Sequence, residues 1–426
     1  MKRKDLYLVA QDGLAIERDD KTREVIQTLP FTLTADQTKT IDTIISEARA
    51  GRRIHSLISG DVGCGKTMMA VLSSILMWEN GFQTILMAPT LVLAQQHYKE
   101  MSGYAQKLGM NIGLLTTETK KSERKKMLAA FNDGTLHVLI GTHSVLSDDV
   151  QPVNLGLTII DEEHKFGVGQ KAKLEEYDKA GIHHLSMTAT PIPRSIAMAV
   201  YGRDLDVLPI RTMPNGRKPV ITKQCFRHEE VFRDIYEEVQ SGRQAYIVCP
   251  FIEDSDSDRC KTVVSVQSAA QEATAYFQEQ PENVKVGMIS GDMKQKDILE
   301  TINRFAAHEL DVLISTTIVE VGVNVPNASI IAIMSAERFG LAALHQLRGR
   351  VGRSRDQGYC LLVSSEQSER LNVMCSTTDG FEIAERDLQL RGPGDLTGEA
   401  QSGASKVIQL IMMRPNLAMA VKRNFF

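Results

Sequence analysis

Eight consecutive residues, Gly60-Asp61-Val62-Gly63-Cys64-Gly65-Lys66-Thr67, match the pattern GxxxxGK[ST]. The residue types define a chemistry. Glycines such as Gly60, Gly63 and Gly65 let backbone N–H groups wrap phosphates, Lys66 reaches the β and γ oxygens, and Thr67 ligates Mg²⁺. A helix beginning near Thr67 adds its positive N-terminal end. An ordinary glycine-rich turn between a strand and a helix can match the same pattern. Here an apolar run precedes it and a helical stretch follows, which is the context a phosphate-binding loop requires. The expected ligands are ATP and Mg²⁺.

A second segment, Ile159-Ile160-Asp161-Glu162-Glu163-His164, supplies the rest of a hydrolytic centre. An apolar strand ending in Asp161 puts a carboxylate beside the Mg²⁺ shell, and Glu162 can orient or deprotonate the attacking water. Alone, such an acidic cluster would read as a solvated loop. The phosphate loop about a hundred residues upstream makes the catalytic reading dominate. A third run is His345-Gln346-Leu347-Arg348-Gly349-Arg350-Val351-Gly352-Arg353. Closely spaced arginines flanked by glycines suit the charge that develops on a γ-phosphate, as an arginine finger does. In isolation they would be a basic surface patch. Placed on a second α/β domain, they imply a nucleotide held between two domains.

The elements that must carry these groups are legible as short apolar runs. The first half has Leu57-Ile58 and residues 84–87, 137–140, 157–160 and 184–187; the second has 245–248, 284–288, 312–314, 330–333 and 360–363. Each is followed by a longer amphipathic or polar segment. Parallel strands, buried on both faces, read as continuous apolar runs, and their alternation with helices indicates βαβ units. The expectation is an α/β protein with two parallel-sheet domains of about five strands each. Domain 1 spans 33–208 after a short extension of 1–32. A turn-rich linker, 209–219, leads to domain 2 at 220–366, and 367–426 forms a loop and helical tail.

Composition sets the limits. The 426 residues are 42% hydrophobic and 24% charged, ordinary for a globular chain, so disorder, collagen and coiled coil are excluded for most of it. A net charge of −4 excludes a small basic DNA-coating protein. It leaves room for a nucleic-acid groove, because backbone N–H groups and helix N-termini also bind phosphates. The six cysteines form no CxxC pair, so reduced thiols are expected rather than a disulfide framework or zinc site. No signal peptide and no run of about 18 apolar residues is present, and the reading is a soluble, cytoplasmic protein without a membrane.

Lesser features read as structural. The basic run from Lys120 to Lys126 carries Glu123 within it and reads as a solvated face. Met68, Met69, Met77 and Trp78 fall at helix spacing and read as core. Residues 254–258 read as an acidic loop, and the His183-His184 pair as structural.

Taken together, the motifs resemble those of superfamily-two helicases and translocases, whose fold is two RecA-like domains in tandem. Ala88-Pro89-Thr90, Gly141-Thr142-His143, Ser186-Met187-Thr188-Ala189-Thr190-Pro191 and residues 316–326 sit at matching places, covering nearly the whole chain. Phe31 and Gln37 resemble the adenine-reading motif. Residues 161–168, 190–194 and 344–353 are similar to RecG-type helicases and to the transcription-repair coupling factor, as is the block from Asp379 to Gly403. Pro393, residues 216–220 and residues 326–328 are nearer RecG. The resemblance implies a DNA translocase in which a helical hairpin and loop couple ATP-driven domain closure to movement along duplex or branched DNA. Arg370, Arg391 and Gln401 fall on functional positions of that hairpin and loop.

Carried onto this sequence, Lys66, Thr67 and Asp161 hold phosphate and Mg²⁺, Glu162 activates water, Arg350 and Arg353 complete the site, and Gln346 lies near the γ-phosphate. Gly322 belongs with the nucleotide set. Pro89, Thr90, Gly141, Thr142, Thr316 and Thr317 would grip the DNA backbone without reading sequence, and His164, Ser186 and Thr188 would couple the two events. Two departures stand out. Only about 30 residues precede Leu33, too few for the RecG wedge domain, so branch specificity is either lost or supplied by a protein partner. In motif V the family has Gly-Val-Asp-Val-Pro where this chain has Asn324, which keeps the shape and an oxygen but loses the charge. An RNA helicase shares the core, but the Gln401 segment and the DEEH sequence argue against it. An ATP-switched clamp or scaffold is the non-enzymatic alternative.

Overall fold

The computed structural model describes residues 13–162, 166, 181–189, 205–214, 218–250, 266–316, 325–353 and 356–391. They fall into two compact units, one of residues 13–60 and 64–212, the other of residues 213–390 with 61–63.

The first unit is built on a seven-stranded sheet. Its strands are β1 (His55–Gly60), β2 (Gln83–Met87), β3 (Ile112–Leu115), β4 (Val138–Gly141), β5 (Leu155–Asp161), β6 (His183–Thr188) and β7 (Asp206–Ile210). Their order across the sheet is β3-β4-β2-β5-β6-β1-β7, and every pairing is parallel. Every residue of β2, β4, β5 and β6 is buried, as expected where helices cover both faces. Around the sheet run α1 (Asp20–Thr28), α2 (Ala35–Arg49), α3 (Lys66–Glu79), α4 (Leu91–Leu108) and α5 (Lys121–Asn132). Helix α3 is buried continuously from Met69 to Met77, so its run of apolar residues has no polar side to show.

The extension before residue 33 is docked on this unit. Glu79, at the end of α3, accepts from Thr22 Oγ1 at 2.6 Å and from Lys21 N at 2.9 Å. His183 and His184 are structural, as the sequence suggests. His183 Nδ1 accepts from Ile54 N at 3.0 Å, and His184 bonds to Thr158 Oγ1 at 2.8 Å and to Ser186 Oγ at 3.0 Å. Residues 254–258 lie outside the described residues.

The second unit has six parallel strands: β8 (Ile221–Cys225), β9 (Gln244–Val248), β10 (Val286–Ile289), β11 (Val312–Ser315), β12 (Ala328–Ile333) and β13 (Tyr359–Val363). Their order is β10-β11-β9-β12-β13-β8. Its helices are α6 (His228–Gln240), α7 (Val266–Gln278), α8 (Gln295–Ala306), α9 (Leu341–Arg348), α10 (Glu369–Ser376) and α11 (Gly380–Arg391). One core joins β9, β11, β12 and β13 to α6 and α7 through Phe232, Ile247, Ala269, Phe277, Ile314 and Leu361.

Three boundaries differ from the sequence reading. The sheets have seven and six described strands rather than about five each, the additional ones being β3, β7 and β8. Pro209 and Ile210 belong to β7, not to a linker, and the units divide after Thr212. Proline is tolerated there because β7 is an edge strand. Residues 367–390 group with the second unit.

Candidate nucleotide site

The phosphate loop leaves β1 at Gly60 and enters α3 at Lys66, with Gly65 as N-cap in the left-handed region at φ +89°. A Cβ at Gly65 would lie 2.2 Å from Gln37 Nε2, so backbone conformation and space both demand glycine. Lys66 Nζ donates to the Gly60 carbonyl at 2.7 Å, which lays the ammonium over the loop it is expected to serve. Thr67 occupies the first turn of α3.

Gln37 braces this loop. Its backbone N–H donates to Thr34 Oγ1 at 3.3 Å while its Oε1 accepts from Thr34 N at 2.8 Å, closing a capping box at the start of α2. Its Nε2 then donates to the Cys64 carbonyl at 2.8 Å. The carboxamide is thus engaged by the protein at both ends, and the side chain is 3% exposed. Phe31, by contrast, is 48% exposed.

Asp161 ends β5 and meets a residue the sequence reading did not single out. His97 Nε2, on α4, lies 2.8 Å from Asp161 Oδ2, and both residues are buried. Burial pushes the Asp161 carboxyl upward, but the His97 hydrogen bond, the His97 charge and Lys66 outweigh it and hold it below the usual carboxylate range. Nothing in local spacing marks His97, since it sits 64 residues from its partner.

Glu162 follows in an unusual backbone state, φ +52°. Its N–H donates to the Met187 carbonyl at 2.8 Å, and its Oε1 accepts from Ala189 N at 3.0 Å. Thr188 Oγ1 lies 3.5 Å from its other oxygen. The left-handed turn therefore ties the proposed water-activating carboxylate to the end of β6, the segment carrying Ser186 and Thr188.

The donor set fits a magnesium ion. Asp161 and Thr67 offer hard oxygens, the carboxylate is held in its ionised form, and no group of three or more His, Cys, Asp or Glu side chains suited to a metal occurs among the described residues. Magnesium is usually bound by one or two carboxylates with the remainder of its shell from water and phosphate oxygens.

The residues expected to touch DNA or to couple hydrolysis to it divide into two groups. Pro89 and Thr90 are half-buried, and Thr90 Oγ1 accepts from Leu93 N at 3.4 Å to cap α4. Thr142, Ser186, Thr188 and Thr316 are buried. At Gly141 a Cβ would come within 1.9 Å of the Leu115 carbonyl, so that strand end admits only glycine.

In the second unit Gln346 and Arg350 are buried, and Arg353 Nε donates to the Gly349 carbonyl at 3.1 Å. Arg353 and Arg350 lie near Tyr246, whose phenol burial pushes up to about 12 against their opposing charges. Arg348, also without a predicted role, donates from Nη1 to the carbonyls of Met374 at 2.9 Å and Thr377 at 2.8 Å. Arg370 is exposed, with Nη1 3.4 Å from the Phe339 carbonyl. His164, Thr317, Gly322, Asn324 and Gln401 lie outside the described residues, as does the Arg391 side chain.

Comparison with known proteins defines the class. The DEAD/DEAH box helicase domain matches residues 34–199 and the helicase conserved C-terminal domain matches 228–355. The chain is a helicase-type protein of the DEAD/DEAH-box class, built from two RecA-like domains. Within that class its likeness is to RecG: the C-terminal part of RecG domain 3 matches residues 377–414.

The ATP-dependent DNA helicase RecG of Staphylococcus epidermidis is 44% identical over 409 residues, 93% of this chain and 58% of that protein. RecG of Staphylococcus aureus strain Mu50 is 43% identical over 403 residues, 92% of this chain and 57% of that one. The chain thus spans somewhat under three-fifths of the curated relatives it matches. A structure of RecG bound to a three-way DNA junction aligns with TM-score 0.75 and 36% identity, over 94% of this chain and 53% of that one. Dbp5 of S. cerevisiae bound to RNA and ADP BeF3 aligns with TM-score 0.59 at 14% identity, a likeness of fold alone. No helix among the described residues is long and apolar enough to cross a membrane.

Proposed function

We propose that the chain is the motor of an ATP-dependent DNA helicase or translocase of RecG type, which couples ATP hydrolysis to movement on duplex or branched DNA in the cytoplasm. The observation that carries this reading is the 44% identity to RecG along 93% of the chain. It fits the gathering of Lys66, Asp161 and Glu162 at the ends of β1 and β5.

In this reading the backbone N–H groups of the loop and Lys66 hold the phosphates, and Thr67 and Asp161 hold Mg²⁺. When bound, the ion neutralises charge on the phosphate oxygens. Glu162 aligns water for attack on the γ-phosphorus and accepts its proton. Arg350 and Arg353, with Gln346, stabilise the charge that grows on the transferred oxygens. Phe31 and Gln37 serve the base and the loop, and Gly322 belongs to the nucleotide set. Pro89, Thr90, Gly141, Thr142, Thr316 and Thr317 meet the DNA backbone, so binding is salt-sensitive and tolerant of sequence. His164, Ser186, Thr188, Arg370, Arg391 and Gln401 transmit hydrolysis to movement.

The test is steady-state ATP hydrolysis without nucleic acid and with duplex DNA, forked DNA or RNA, beside Lys66→Ala. Stimulation by duplex or forked DNA that disappears in Lys66→Ala supports the motor. Stimulation by RNA alone would make it an RNA helicase. ATP binding with no stimulated turnover would leave a nucleotide-switched scaffold.

A further inference from the structure

The two oxygens of Asp161 differ in their surroundings: Oδ2 meets His97 Nε2 at 2.8 Å. His97 projects from α4 and Asp161 closes β5, two regular elements of the same unit, and both residues are buried. We propose that His97 is a positioning residue for the metal site: its Nε2–H fixes Oδ2 and thereby presents Oδ1 to the Mg²⁺ of a bound nucleotide. The inference rests on Asp161 being a metal ligand.

Two further observations support it. Among the described residues His97 Nδ1 is buried without a hydrogen-bond partner, and the one side-chain hydrogen bond to the ring is that with Asp161. Neutral or protonated, the ring meets the carboxylate through the proton on Nε2. The opposite tautomer would bury an unpaired N–H and leave two acceptors facing each other across 2.8 Å. The carboxylate also feels Lys66. A carboxylate that turned to pair with that ammonium would withdraw from the metal. The His97 donor holds Oδ2 in place against such a rotation, as the hydrogen-bond partners of ligating carboxylates commonly do.

The inference is tested by binding, apart from turnover. Mn²⁺ replaces Mg²⁺, and its affinity for the ADP complex of the full chain is read by electron paramagnetic resonance. Wild type, His97→Ala, His97→Gln and Asp161→Asn are compared, with metal-free ADP affinity measured for each. His97→Ala should weaken Mn²⁺ binding on the order of 10–100-fold, the usual loss for an outer-shell partner. Its metal-free ADP affinity should stay unchanged. His97→Gln, whose Nε2 reaches a similar distance, should recover most of the loss.

Wild-type Mn²⁺ affinity in His97→Ala, or no recovery in His97→Gln, overturns the inference. Wild-type affinity in Asp161→Asn overturns the metal-ligand reading itself, and the inference with it. If the His97 variants do not fold, the imidazole nitrogen resonances of His97 in wild type decide. A displacement when Mg²⁺ joins the ADP complex supports the positioning role, and an unchanged spectrum overturns it.

Discussion

Arg348 and Thr377 are joined by a 2.8 Å hydrogen bond from guanidinium Nη1 to main-chain carbonyl, and the same nitrogen reaches the Met374 carbonyl at 2.9 Å. Both carbonyls belong to the C-terminal end of α10, where a helix lacks partners of its own and welcomes a cation. Burial lowers the Arg348 pKa, though not enough to remove its proton. Arg348→Met should leave both carbonyls unsatisfied at about 1–3 kcal/mol each. Hydrogen exchange should show residues 369–377 losing protection while β9 and β12 keep theirs.

Gln37 separates two roles that one substitution can distinguish. Gln37→Ala removes the side-chain arm of the capping box, a hydrogen bond of about 0.5–1.5 kcal/mol, and the brace on Cys64 as well. Gln37→Glu keeps an acceptor for Thr34 N but sets a carboxylate against the Cys64 carbonyl. Calorimetry should therefore find Gln37→Glu nearer wild type in melting temperature than in nucleotide affinity, with Gln37→Ala reduced in both.

Gly65→Ala puts a Cβ into the Gln37 amide and into a backbone region closed to alanine. The expected cost exceeds about 1 kcal/mol in stability. Titration with a fluorescent ATP analogue should show binding falling by a larger factor than this small thermal loss suggests, because the loop itself must move.

Glu162→Gln retains Oε1 as acceptor for Ala189 N, so the turn at φ +52° should survive. A base is lost and the fold is not. ATP binding should remain within a few-fold of wild type while single-turnover hydrolysis falls about 10²–10⁴-fold.

Asp36 should impose a pH dependence on the first unit. Its Oδ2 accepts from Arg211 N at 2.9 Å, Thr212 N at 2.8 Å and Thr212 Oγ1 at 2.9 Å. Partial burial raises the carboxyl, but the Thr212 and Arg211 bonds prevail and hold it below its ordinary value. A depressed folded pKa gives stability that is present above the unfolded value, about 3.9, and is lost as pH falls toward the folded one. The melting-temperature gap between wild type and Asp36→Asn should be constant near neutrality and shrink below about pH 4.

What could be read from the sequence follows burial. Interior strands such as β5 and β12 are buried at every position because helices cover both faces, and their largely apolar runs stand out. β7 and β8 lie at sheet edges, half-exposed and mixed in composition, and β3 is a four-residue edge strand interrupted by Gly113, so a search for continuous apolar runs passes over them. The phosphate loop and the Asp161-Glu162 pair were legible because their chemistry is local. His97 and Arg348 were not, because each acts on a partner that only the fold brings near.

The order of strands in the first sheet also governs when this protein can become functional during its own synthesis. β1, which delivers the phosphate loop, is bordered only by β6 and β7. Its neighbours begin at His183 and Asp206, far along the chain. While the ribosome is still adding the intervening residues, β1 has no ladder to join, and its apolar edge is exposed to chaperones and to other nascent chains. Parallel pairing over such separations is slow. Codon usage around residues 183–210 therefore falls where a pause in translation would leave the nucleotide-binding strand unpaired for longest.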